Sequence, residues 1–313
     1  MSTRSNPAFA LIALALGLSI ASAPASAKTR DKTVSQAEAR AFIEQTRIAA
    51  PKRVGEFVLD ETEYDAQQKA AGASLRYALP DHPELRIDLF VYPAGEMPPG
   101  TAMQRGMAEF RDTFDAAVKA GFYRDLQAGE PTGFEIPPAP RASADDRTER
   151  KAGSKDADAA LEAKIDALLG PKPIAGRRID LHYRMPVETQ DDPVPMRSRG
   201  YLFYRQLYYV KGRVSAAESQ IDQAGFDALG DRAMRELVPA IIISNIGGCA
   251  RHRIALDPKQ LDEDAMMTQI LNSFAAAGEK RCFESIEKAA KDEPKDATTI
   301  VIDYDPSDWG GKP

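Results

Sequence analysis

The sequence predicts an α+β protein in which mainly antiparallel sheet is covered by amphipathic helices. Three observations lead there. Short segments with two-residue alternation occur in adjacent runs, as in Leu75, Tyr77 and Leu79 followed by Leu85, Ile87, Leu89 and Val91. Longer segments with helical spacing punctuate them, the clearest carrying Met103, Met107, Phe110, Phe114 and Ala117. Strands follow strands more often than they alternate with helices, which favours α+β over a parallel α/β sheet. Hydrophobic residues are 43% and charged residues 28% of the 313, so the chain can bury a core.

The first 27 residues read as a secretory signal. Arg4 gives a positive start, Ala8 to Ile20 is uninterruptedly apolar, and Ala25-Ser26-Ala27 is a small-x-small cleavage site. The apolar run is shorter than the roughly 20 residues that span a bilayer. Lipid anchoring is not expected either, because the first cysteine is Cys249. A mature chain from Lys28, periplasmic or secreted, is expected, with no membrane insertion once the signal is gone.

Residues 28–136 form an N-terminal α+β part. A helix is expected over 34–50, from the capping pair Ser35 and Glu38 to Pro51, with Phe42, Ile43 and Ile48 sharing a face. A strand over 54–64 follows, then the hairpin turning at Pro80-Asp81-His82-Pro83. The helix over 101–120 has Gly121 placed to end it. Residues 137–156, with Pro-Pro-Ala-Pro and no periodicity, read as a mobile loop or linker.

The C-terminal α+β part, 157–313, starts in a short helix over 156–169. Ile179, Leu181, Tyr183 and Met185 then alternate as a strand. Residues 196–215 hold two strands hinged near Arg205-Gln206. A helix is expected over 222–246, kinked at Pro239 and stopped by Gly247-Gly248. A strand near 251–256, a helix over 262–277 capped by Gly278 and a strand over 298–304 complete the chain. The two parts can also share one sheet as a single domain. In the order of its elements the chain resembles the PsbP/Mog1-type sandwich of small exported and lumenal proteins, a resemblance that carries no site residue.

Formal net charge is −6, and loss of Arg4 makes the mature chain −7. That balance excludes nucleic acid as a main partner. Cys249 and Cys282 are the two cysteines, and in an oxidising compartment they are expected to pair. Closing that loop contributes roughly 3–4 kcal/mol on the chain-entropy relation. The three histidines, His82, His182 and His252, are dispersed, and no metal site or cofactor is expected.

No nucleophile elbow, zinc-binding helix or phosphate loop occurs. The catalytic candidates are Asp180 and His182, which share a strand face so that the carboxylate can orient the imidazole as a general base. Arg178 and Arg184 flank them and suit an anionic group. The same alternation also describes a polar sheet face paired across strands. Tyr201, Tyr204, Tyr208 and Tyr209 are the binding candidates, as rings that stack on sugars or peptides or else pair across a hairpin. The leading expectation is a non-catalytic binding or accessory protein of the bacterial envelope. Its partner would be an envelope protein, a glycan or a small ligand. The alternative is a small exported hydrolase using Asp180 and His182 with the flanking arginines.

Overall fold

The computed structural model describes residues 42–138, 165, 168–187, 192–251 and 262–308. Their strands are β1 (Gln45–Pro51), β2 (Arg53–Val54), β3 (Phe57–Tyr64), β4 (Ala73–Ala78), β5 (Arg86–Pro93), β6 (Arg124–Ala128), β7 (Thr132–Ile136), β8 (Ile174–Met185), β9 (Val194–Arg205), β10 (Tyr208–Ala217), β11 (Ile242–Ile246), β12 (Cys282–Phe283) and β13 (Ala297–Asp303). The helices are α1 (Pro99–Lys119), α2 (Gln223–Ala240), α3 (Glu263–Lys280) and α4 (Ile286–Ala290).

Helices and large antiparallel sheets together make this an α+β protein. Nine strands form one sheet in the order β2-β3-β4-β5-β10-β9-β8-β6, with β7 also on β8. A smaller sheet has the order β12-β11-β1-β13 and is antiparallel except for the β11–β12 pair. Strand β5, from the N-terminal part, pairs with β10, so one sheet runs through both parts of the chain.

Alternation sets the register. In the β4–β5 hairpin Leu75 faces Leu89 and Tyr77 faces Ile87, all buried. The β9–β10 hairpin turns at Gln206 and Leu207, whose φ values of +47 and +70 belong to the twisted two-residue turn that suits paired strands. Neither residue is glycine. The turn is held from outside, by Asn245 Nδ2 donating to Gln206 O at 3.0 Å.

Two layers cover the large sheet. On one face α1 buries Met107, Phe110 and Phe114 against Ile179, Leu181, Leu202 and Tyr209. Gly200 lets the helix this close, because a Cβ there would lie 2.4 Å from Phe110 Cζ. Gly121 ends α1 as expected: its N–H bonds Val118 O and the Phe122 N–H bonds Ala117 O. On the other face Phe226, Met234 and Leu237 of α2 join Ile48, Ile243 and Ile302 of the small sheet over Tyr201, Phe203, Val210 and Val214.

Three expectations need correction. The helix over 34–50 is, within the described residues, strand β1, whose Ile48, Ala49 and Ala50 are fully buried between β11 and β13. A central strand buried on both faces has no polar alternation, so its apolar residues match a helical stripe equally well. The helix over 222–246 ends at Ala240, and Ile242–Ile246 is β11. Pro239 marks that break, and the β-branched isoleucines beyond it suit a buried strand. Gly247-Gly248 therefore ends a strand rather than a helix. Finally, α3 runs through Gly278 to Lys280, and its cap is Arg281, a non-glycine residue at φ +46 whose N–H bonds Gly278 O.

Strands β6, β7 and β12 and helix α4 come in addition to the elements expected. Residues 139–156 of the loop, residues 252–256 of the strand expected near 251–256 (His252 among them) and Trp309 lie outside the described residues. Of the helix over 156–169, residues 165, 168 and 169 are described and helical.

Candidate functional site

Strand β8 presents Arg178, Asp180 and His182 on the face opposite its buried Ile179, Leu181 and Tyr183. Asp180 and His182 do not meet. The Asp180 carboxylate accepts from Arg199 Nε at 2.5 Å, and His182 Nδ1 lies 2.8 Å from Glu218 Oε1. Arg178 Nη1 donates to Asp231 Oδ2 at 2.8 Å, and Arg184 Nε lies 3.7 Å from Asp125. Arg199 is the hub. Its side chain is 5% exposed and also reaches Asp227 at 2.9 Å and Asp231 at 3.4 Å. The network ties β8 and β9 to α2, and each acid named here is already engaged by a basic side chain.

The tyrosines do not make an exposed platform. Tyr201, Tyr208 and Tyr209 are buried, and Tyr204 is half-buried. Each hydroxyl has a partner inside the protein. Tyr201 OH donates to Asp231 Oδ1 at 2.8 Å, Tyr208 OH to Thr46 Oγ1 at 2.8 Å, Tyr209 OH to Ala102 O at 2.7 Å and Tyr204 OH to Gly95 O at 2.8 Å. Burial pushes all four phenols up from their ordinary range. These rings are core, placed two to each face of the sheet by strand alternation.

A different pair is basic and has no carboxylate hydrogen-bonded to it among the described residues. Lys211 and Arg213 lie two residues apart on β10, on the α1 face of the sheet. Lys211 Nζ sits 4.0 Å from the Phe110 ring centroid and 5.9 Å from that of Phe114. Arg213 donates to three neutral hydroxyls: Ser198 Oγ at 3.0 Å, Tyr123 OH at 2.6 Å and Tyr183 OH at 3.0 Å. Across the strand Asp88 is buried, but its oxygens accept from Arg76 Nε at 2.9 Å and Arg86 Nε at 2.6 Å. Arg76 also pairs with Glu61. Among the described residues no carboxylate hydrogen-bonds Lys211 or Arg213, although Asp88 is close enough to favour the charged Arg213. In the sequence both read only as polar strand positions. The signal that sets them apart is their parity with Tyr209, which places them on the side that α1 covers.

Burial lowers the Lys211 ammonium to about 7, and the Arg213 charge pushes the same way. In the unfolded chain the amine titrates near 10.5. Between about pH 7 and pH 10 the unfolded state therefore holds the extra proton, and stability rises with pH. Below pH 7 both states are protonated and the contribution is constant. Relative to Lys211→Met, the wild type is expected to gain about 2 kcal/mol across that window, less than full linkage because the side chain is half-buried. Urea unfolding of both proteins at about pH 6.5 and pH 10 checks this, and parallel pH dependences would refute it.

Cys249, in a 3-10 turn after β11, is disulfide-bonded to Cys282 of β12, with Cα atoms 5.7 Å apart. A pocket of about 330 Å³ lies beside it, lined by Phe274, Ala277, Gly278, Arg281, Cys282 and Phe283. Among the described residues no three acidic, histidine or cysteine side chains converge as metal ligands, and no helix is long and apolar enough to cross a membrane. No protein-family model matches the sequence, and no curated protein matches it either.

Proposed function

We propose that this is an exported, non-catalytic binding or accessory protein of the bacterial envelope, cleaved near Ala27 and periplasmic or secreted. The observation that carries the reading is the Cys249–Cys282 bond, since such bonds persist where the compartment is oxidising. The apolar run from Ala8 to Ile20 and the Ala25-Ser26-Ala27 site supply the route. Binding rather than hydrolysis is favoured because Asp180 and His182 are each bonded to another residue, while Lys211 and Arg213 have no hydrogen-bonded carboxylate among the described residues. The partner is an envelope protein, a glycan or a small ligand. Strand-rich layers flanked by helices are also compatible with a PsbP/Mog1-like sandwich.

Expression of the full chain in a bacterium, followed by fractionation and intact mass, tests this reading. The protein is expected in the periplasm or medium with a mass that starts at Lys28. Denatured without reductant it should show no free thiol, and two after reduction. An intact chain from Met1 in the cytosol with two free thiols would overturn the proposal.

A further inference from the structure

We propose that Lys211, backed by Arg213, anchors an oxyanion-binding site on the α1 face of the large sheet, taking the carboxylate or phosphate group of a small ligand. The inference deepens the binding-protein reading and rests on it.

Position is the first argument. Across the ladder Lys211 stands between Leu202, buried under α1, and Phe90, half-buried on β5. The amine lies against the Phe110 ring of α1, and the residue as a whole stays half-buried rather than sealed.

Charge is the second. Two cations spaced i, i+2 on one strand face repel each other, and partial desolvation raises that cost. Proteins ordinarily offset it with a carboxylate. Here Asp88, directly across from Arg213, has each oxygen engaged by Arg76 or Arg86. The partners of Arg213 are hydroxyls of Ser198, Tyr123 and Tyr183, which orient the guanidinium without neutralising it. Phe110 attracts the Lys211 ammonium through its ring face but accepts none of its N–H bonds. An oxyanion would accept those bonds and relieve the repulsion together, and charge-assisted bonds of this kind are the strong ones. Lys211 and Arg213 are also an adjacent basic pair on a chain whose formal net charge is −6.

The aromatic floor and the single unbonded amine suit one anionic group, not an extended polyanion. Inorganic phosphate and succinate are the probes, each titrated calorimetrically into the processed, disulfide-bonded protein at constant ionic strength set with sodium chloride. One of them is expected to bind saturably with a dissociation constant of about 1 mM or tighter. Binding should take up protons near pH 8, seen as an enthalpy that depends on the buffer, because the anion favours the charged amine. Saturation by phosphate alone assigns a phosphate group, and by succinate alone a carboxylate. Lys211→Met should weaken binding by about tenfold or more, whereas Lys172→Met, an exposed lysine paired with Glu279, should leave it unchanged. Arg76→Gln, at the rim, is a second variant that keeps Lys211 and should weaken binding by a smaller factor. Absence of saturable binding by either probe, or equal binding by wild type and Lys211→Met, overturns the site. Export, processing and thiol content are read on the same preparation, so a protein that is exported but binds neither probe loses this inference and keeps the broader reading.

Discussion

Replacing Gly72 with alanine is expected to lower the unfolding free energy by about 4 kcal/mol or more. Gly72 enters β4 with φ +72 and ψ −150, a conformation essentially confined to residues without a Cβ. The added methyl would also stand 2.0 Å from Val91 O and 2.6 Å from Tyr92 Cα. Both are backbone atoms of β5, which is paired on its other side with β10 and cannot swing away. Relief requires parting β4 from β5 at the Ala73–Val91 pair, on the strand that also carries Asp88 and Phe90. Gly95 is the comparison. It has φ +88 but open space where a Cβ would stand, with no other atom within 4 Å, so Gly95→Ala is expected to cost only about 1 kcal/mol. Urea unfolding of the two variants checks the difference. Equal losses would show that β5 yields and that the contact with Val91 is not a constraint.

The hairpin of β4 and β5 was legible because it is half of a sheet with unlike faces. Leu75, Tyr77, Ile87 and Leu89 point to the core, while Arg76, Arg86 and Asp88 do not, and two prolines mark the turn. Helix α1 was legible for the corresponding reason at a period of about 3.6 residues. Strands β1 and β11 were not. Ile48, Ala49 and Ala50, like Ile243 and Ile246, are buried whichever way they point, which erases the period that distinguishes strand from helix. Pro239 was visible as a break, but the residues around it did not say that the chain changes element there. Strand β6 escaped for the opposite reason: Arg124, Asp125, Gln127 and Ala128 are exposed, and their pairing with β8 leaves little apolar imprint.

At the level of the site, alternation gave the faces but not their cover. Arg178, Asp180 and His182 do share a face, as their spacing requires. The cover over Arg178 and Asp180 is α2, distant along the chain, whose Asp227 and Asp231 meet Arg199 and Arg178. Arg199 itself was invisible as a hub, since nothing in the run Met196 to Gly200 distinguishes a buried arginine from a surface one. The tyrosines illustrate the same gap: their aromatic surface was evident, but whether solvent, a helix or the small sheet lay above it depended on contacts distant in sequence. The disulfide was legible because compartment and cysteine count leave a single pairing.

Arg199→Met is expected to cost about 3 kcal/mol, at the lower end of the range for breaking a buried ion pair from one side. For a chain of this size that corresponds to a fall in Tm of roughly 6–12 °C. Methionine retains much of the volume, so the loss is one of charge rather than of packing. Asp180, Asp227 and Asp231 are then left together beneath α2 without their shared cation. The cost stays moderate because Asp180 and Asp227 reach solvent, and because Asp231 keeps Arg178 and the Tyr201 hydroxyl. If repulsion among the stranded carboxylates is the cause, adding Asp180→Asn to Arg199→Met should restore about 1 kcal/mol, whereas the single Asp180→Asn should destabilise. Thermal and urea unfolding of the three variants give the cycle. A loss below about 0.5 kcal/mol for Arg199→Met would place these charges among ordinary surface pairs.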